Sequence, residues 1–165
     1  MNIKEALTFL EQEVPTPWMG LPEELFLYIS RSTPLVNVDL LVKDETGRTL
    51  LSWRDDIFAG KGWHVPGGII RFKEKLETRI QKVAQTELGL SSIVFDPIPL
   101  ALNQIIHPER AIRGHFISLL YTCFLNSSFV PSNGDLTEED SGYLMWHDGC
   151  PDNLLGVHEI YRKYI

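Results

Sequence analysis

The sequence predicts an α/β (α+β) fold: a mixed β-sheet sandwiched between helices, with two extra helices ahead of it. Three observations predict it. β-branched, apolar-rich runs recur from Pro34 to Trp146, helical spacing marks two stretches before them and two among or after them, and glycine-bearing turns separate the segments.

Ile3, Ala6, Leu7 and Leu10 fall at helical spacing within residues 2–13, and Pro15 and Pro17 stop that helix. A second helix is expected from Leu21 to Ser32, with Pro22 and Glu23 in its first turn, where an absent amide and a negative charge are both favoured. Its Leu25, Phe26 and Ile29 share one side. The two helices are expected either to cap the core or to pack on a second subunit. From Leu35 to Val42 the chain reads as a strand, Asp44-Glu45-Thr46-Gly47 as a turn, and Thr49 to Trp53 as the return strand of a hairpin. Arg54 to Gly62 is polar and glycine-containing, which predicts a loop, either functional or simply polar with an internal ion pair.

Trp63 to Pro66 is a short strand leading to Gly67-Gly68. After Ile69-Ile70 a helix is expected from about Lys75 to Leu88, closed by Gly89. Strands follow around Ile93–Phe95, Leu100–Ile106 and His115–Leu125, then a polar loop to Asp140 and a strand from Tyr143 to Trp146. A last helix is expected from about Asp152 to Tyr164, with Leu154, Leu155, Val157, Ile160 and Tyr161 as its apolar stripe.

At 165 residues the chain fits one domain, residues 1–165, divided into an N-terminal helical extension over 1–32 and a core over 33–165. Its apolar runs are too short to cross a bilayer, and its first residues lack the basic-then-apolar pattern of a signal peptide, so a cytoplasmic setting is expected. A net charge of −7 without clustered Lys and Arg argues against nucleic acid as a partner. A phosphorylated small molecule stays open, given one local group of cations or a metal ion that reverses the field of an acidic site. Cys123 and Cys150 read as idle thiols, and His64, His107, His115, His147 and His158 lack zinc-type spacing. His64 and His115, in strand-like contexts, read as satisfied histidines.

The informative segment runs from Gly67 to Leu90. Gly68, Glu74, Glu87, Gly89 and Leu90 stand in the register of a glycine-tightened loop feeding a helix, with Lys82 where an arginine is expected. This resembles the Nudix box, whose second, third and fourth glutamates lie three and four residues apart on one helix face and gather hard divalent ions. Here Val83 and Thr86 replace two of those three, and only Glu87 remains. The resemblance therefore implies a Nudix fold and a single Mg²⁺ (or Mn²⁺) completed by backbone, water and substrate.

The same erosion, together with Arg31-Ser32-Thr33-Pro34-Leu35-Val36, Asp39 and the Trp63-x-Val65-Pro66-Gly67-Gly68 approach, is similar to the GDP-mannose mannosyl hydrolase group of that superfamily. Carried across position by position, the resemblance implies that the Gly67 carbonyl, Glu87 and Asp140 bind the metal, and that Arg54, Glu87 and Asp140 are catalytic. It implies substrate contacts from Asp39 on the sugar side, Arg54 on the diphosphate, Arg71, and His107 near the leaving group. Gly68 and Glu74 would shape the loop. Two positions depart from the group: Ile69 replaces its arginine, with Arg71 two residues on, and Ser141 replaces its basic histidine, leaving the base open among Asp140, His115, His147 or none. The implied function is hydrolysis of a nucleoside diphosphate linked to another moiety, most naturally a nucleotide sugar, by a homodimer. The alternative is a catalytically silent Nudix fold that binds a nucleotide or a protein.

Overall fold

The computed structural model describes residues 2–57 and 59–165; Met1 and Phe58, the latter within the expected 54–62 loop, lie outside the described residues. Helix α1 (Ile3–Glu13) starts at Asn2, whose side chain accepts from Glu5 N while the Glu5 carboxylate accepts from Asn2 N. That reciprocal cap satisfies two amides the first turn would leave bare. No residue of α1 is buried, and Ile3 and Leu7 are 82% and 56% exposed, so the helix does not cap the core as one expectation had it. Helix α2 (Glu23–Ile29) is shorter than the sequence suggests, beginning after Pro22 and ending at Ser30, whose hydroxyl donates to Leu27 O.

Eight strands follow among the described residues: β1 (Leu35–Lys43), β2 (Thr49–Asp56), β3 (Gly60–His64), β4 (Gly67–Ile69), β5 (Val94–Phe95), β6 (Ala101–Ile106), β7 (His115–Phe124) and β8 (Leu144–His147). Helix α3 (Leu76–Leu88) lies between β4 and β5 and ends at Gly89, whose φ of 68° is the left-handed turn that glycine adopts at least cost. The strands form one sheet in which β1 and β7 run parallel over Leu35–Lys43 and Phe116–Phe124, while the other pairings are antiparallel.

Period-two alternation along β1 feeds two cores. Val38, Leu40 and Val42 pack with Ile80, Val83, Ala84 and Leu88 of α3. Leu41 points the other way and joins Leu51, Trp63, Leu120, Leu154 and Tyr161. Asp39, an odd-numbered neighbour, shares this second face, which the C-terminal residues cover. The sheet is thus mixed and flanked on both faces.

Two elements differ from the sequence reading. Arg54 to Gly62 is mostly a hairpin, not a loop: β2 continues to Asp56 and β3 begins at Gly60, with Trp53 opposite Trp63 and Asp55 opposite Lys61. The Asp55–Lys61 ion pair, 2.8 Å, is a cross-strand contact of this hairpin. At the C-terminus the expected helix from 152 is a 3₁₀ helix over Gly156–Tyr164. Residues 153–155 are drawn into extended pairing with β3, since Trp63 N donates to Asn153 O and Leu155 N to Trp63 O. Both cysteines are free, and burial pushes the Cys123 thiol up to about 12, which leaves it unreactive. Among the described residues no helix is long and apolar enough to cross a membrane.

Candidate active site

The site begins at the Gly67-Gly68 pair because side chains press on both residues. A Cβ on Gly67 would stand 2.1 Å from Asp39 Oδ1 and 2.9 Å from the Val38 carbonyl; one on Gly68 would stand 2.8 Å from Val83 Cγ2. One glycine admits the Asp39 carboxylate and the other admits α3. Glu74 then ties the following loop. It accepts from Arg71 N (3.0 Å), from Arg79 Nε (2.7 Å) and from Lys82 Nζ (3.2 Å), and Arg79 Nη2 stands 2.7 Å away as an ion pair. Although burial acts to raise its pKa, these bonds hold the Glu74 carboxyl below the usual carboxylate range. Its oxygens are occupied within the loop.

On α3, the positions where the box carries two further acids have other uses. Val83 is 3% exposed and packs in the core against Gly68, and the Thr86 hydroxyl donates to Lys82 O. Glu87 remains, with Oε2 3.4 Å from His64 Nε2. His64 is only half satisfied: its Nδ1 lies 2.7 Å from Ser52 O, whereas the buried Nε2 has no hydrogen bond. A carbonyl can only accept, so Nδ1 donates to Ser52 O, and Nε2 faces the Glu87 carboxylate. His158 uses its Nδ1 differently, accepting from Val65 N at 2.9 Å, which leaves Nε2 as a donor. Burial, with the nearby charges of His64 and Arg54, keeps the His158 pKa well below its ordinary value, so the ring is neutral.

Among the described residues no three His, Cys, Asp or Glu side chains gather into a metal-binding group. A cluster of several ions does not fit this site. A single hard divalent ion does, since such ions keep several waters and need only one or two carboxylates when substrate phosphates complete the shell. Glu87 is the box acid that α3 retains.

Asp39 is the buried carboxylate beside the turn. Its Oδ2 accepts from the hydroxyls of Ser118 and Tyr161, and its Oδ1 accepts from Asn37 Nδ2 at 2.8 Å. Burial pushes its pKa up, against the pull of those three bonds and of His64. Burial, then the Asp39 charge, pushes Tyr161 up as well.

One cleft brings together Asp39, Arg54, Gly67, Gly68 and His107 from the expected set. Glu87 reaches it only through its contact with His64, which lines the cleft. Arg71 is not among the lining residues: its guanidinium donates to the Met19 carbonyl and lies against Gly20, so it serves the N-terminal segment. Asp140 is absent too. Its Oδ2 is taken by Thr137 N and Oγ1, both at 2.7 Å, in an exposed turn, and the neighbouring Ser141 hydroxyl accepts from Asp55 N. That holds the loop to β2 and leaves Asp140 with a turn-capping role.

The cleft also holds residues to which the sequence reading gave no role in the site: His64, read as a satisfied histidine, with His158, Asp56, Arg110 and Arg113. The arginines stand in the short connection between β6 and β7, where His107 N donates to Gly114 O and Arg110 N to His107 O. Two arginines three apart before a glycine, between confident strands, were the available signal. His107 in the same connection has its pKa lowered, first by burial and then by Arg110.

No family model matches the chain. Over 74 residues it is 36% identical to the low-salt glycan biosynthesis protein Agl8 of Haloferax volcanii, a stretch covering 45% of this chain and 47% of that protein. The match thus spans about half the length of that relative. Among solved structures, the chain is similar to a MutT NUDIX hydrolase from Burkholderia pseudomallei, with a TM-score of 0.61 at 20% identity, over 81% of this chain and 98% of the other. It is also similar to a possible asymmetric diadenosine tetraphosphate hydrolase from Jonesia denitrificans, with a TM-score of 0.59 at 18% identity, over 80% and 92% of the two chains. At such identities the likeness concerns architecture: this mixed sheet, with its glycine turn and box helix, is a Nudix fold.

Proposed function

We propose that the protein is a divalent-metal-dependent hydrolase of a nucleoside diphosphate linked to another moiety, with nucleotide sugars of the GDP-mannose kind as the foremost substrate class. One observation carries this: the Gly67-Gly68 turn, His64 against Glu87, and Arg54 converge on a single cleft. The relative named for glycan biosynthesis supports a sugar nucleotide, and the neighbour named for diadenosine tetraphosphate supports a polyphosphate-linked nucleoside. Residues 1–165 are read as one domain, with 1–32 as an extension of the core.

Glu87 and the Gly67 carbonyl would hold one Mg²⁺ or Mn²⁺. When bound, such an ion offsets diphosphate charge and polarises a coordinated oxygen. The other roles fall to side chains. Arg54 presents its guanidinium to the diphosphate, Asp39 offers an acceptor for a sugar hydroxyl, and His107 stands with Arg110 beside the leaving group. His158, protonated on Nε2, is a donor in the cleft and not a base. Arg71 and Asp140 have no part in this assignment, for the contacts described above.

Incubating a panel of nucleotide sugars and ADP-ribose with Mg²⁺ or Mn²⁺, wild type beside Glu87→Gln, tests the reading. Loss of turnover by at least about a hundredfold in the variant is expected for removal of a metal ligand. Equal turnover by the two proteins overturns it. A second reading, a catalytically silent nucleotide-binding fold, is favoured by the burial of Val83 and the helix-bound Thr86 hydroxyl, and predicts GDP binding without product. The hydrolase reading includes a homodimer formed through the exposed apolar side of α1, and a cytoplasmic setting in keeping with two free thiols. Sedimentation at two concentrations checks the dimer.

A further inference from the structure

The chain carries a formal net charge of −7, yet Arg54, Arg110 and Arg113 line the same cleft. Arg113 is buried enough to lower its pKa, Asp56 opposes that, and the charges of Arg54 and Arg110 reinforce it. The guanidiniums of Arg54 and Arg110 therefore lie within the field of Arg113. Like charges gathered in one depression favour an anionic ligand there; Asp56 lines the cleft with them, and Glu109 lies 3.7 Å from Arg110 Nε.

The backbone holds this arrangement in place. Arg113 sits at φ 53°, a left-handed conformation uncommon outside glycine, and its amide donates to Ser30 Oγ at 3.3 Å. Behind it, a Cβ on Gly114 would meet the Arg110 carbonyl at 2.5 Å, so the connection is closed tightly upon itself. A strained residue persists where its surroundings over-determine it, and such places cluster at ligand clamps.

Asp39, the cleft's buried carboxylate, does not compete with an anion there. The arginine connection enters β7 near the rung pairing Phe116 with Leu35, whereas Asp39 lies four residues further along β1, about 13 Å at the rise of a strand. Its oxygens are already answered by Ser118, Tyr161 and Asn37. Guanidinium forks match phosphate oxygens two at a time.

We propose that Arg54, Arg110 and Arg113 form a three-guanidinium seat for a diphosphate, and that this seat binds nucleoside diphosphates without any divalent ion. The seat supplies the positive charge that further ions would supply beside a full set of box carboxylates, positions that Val83 and Thr86 occupy here. This deepens the hydrolase reading and rests on its diphosphate substrate, leaving the single ion at Glu87 for bond cleavage alone.

Calorimetric titration of the full chain with GDP and with guanosine, in EDTA and then in Mg²⁺, tests it. GDP is expected to bind in EDTA within about threefold of its affinity in Mg²⁺, to weaken as salt rises, and to bind far more tightly than guanosine. Arg110→Ala and Arg113→Asn, the latter chosen because Asn tolerates the left-handed backbone, should each weaken GDP by at least about tenfold in EDTA. Absence of GDP binding in EDTA overturns the proposal, as does unchanged affinity in a variant that melts like the wild type. Should both variants unfold, the wild-type salt titration decides, and a salt-independent affinity overturns it. Binding in EDTA without turnover in Mg²⁺ keeps the seat and removes the hydrolase; turnover without metal-free binding does the reverse.

Discussion

Gly68 shows how one missing side chain sets the distance between sheet and helix. Its absent Cβ leaves room for Val83 Cγ2, which would otherwise stand at 2.8 Å, and Val83 is a stiff β-branched residue at 3% exposure with nowhere to turn. Gly68→Ala is expected to cost about 1–3 kcal/mol of unfolding free energy through overpacking. Urea midpoints of the single variants and of Gly68→Ala with Val83→Ala check it, because the second substitution should recover part of the first loss; strictly additive losses would mean the clash is not there. At this scale the box glycines and Glu74 were legible, since each sits in fixed register with a nearby helix. Gly67 was legible only as a motif position, because the side chain that requires it, Asp39, belongs to a different strand. Arg71 and Asp140 lie outside the cleft for a related reason: spacing places a residue on a segment but does not say which neighbour, Met19 O or Thr137 N, captures its side chain first.

Elements were read well where the local pattern and the tertiary environment agree. The β1–β2 hairpin is such a case, and its turn is organised by Asp44. Asp44 Oδ1 accepts from Thr46 N (3.0 Å), Thr46 Oγ1 (2.8 Å) and Arg48 N (2.9 Å), and Oδ2 accepts from Arg48 Nε at 2.7 Å. Burial acts to raise the carboxyl, but the bonds from Arg48 and Thr46 prevail and hold it at about 2, below its ordinary 3.8. A depressed carboxyl contributes stability that is fully present above its unfolded value and is lost as pH falls through the folded one. The melting temperature of the wild type should therefore exceed that of Asp44→Asn at pH 5, with the gap closing between pH 4 and pH 2. A gap of constant size would show that the charge of Asp44 contributes nothing to the turn. Where reading and element part, the cause is pairing. β3 carries Gly60 at φ 87° and Gly62, whose missing Cβ makes room for the Asn153 carbonyl, so the segment looks like a loop in sequence. Residues 153–155 carry helical periodicity yet pair with Trp63, because a buried strand edge offers more than one further helical turn.

The whole molecule joins its two ends unequally. Helix α1 buries no residue, while Tyr161 near the other terminus is fully buried and reaches Asp39, 122 residues away, and Ser118 on the parallel strand β7. The cleft is a product of that long-range closure: it draws on β1, β2, β4, the β6–β7 connection and the C-terminal 3₁₀ helix, and no local stretch of sequence carries its outline. That is why the box was readable in advance and the arginines opposite it were not. Two expectations follow from the same asymmetry. Deleting residues 2–13 should change the unfolding free energy by less than about 0.5 kcal/mol, since surface elements away from packed contacts contribute little. Tyr161→Phe keeps the ring in the core but removes one of the hydroxyls that answer a buried carboxylate, and should cost about 1–3 kcal/mol. Urea unfolding of the three proteins under one buffer decides both. If the deletion proves the more damaging change, α1 is covering a surface in solution, and a concentration-dependent midpoint would identify that surface as the contact between two copies of the chain.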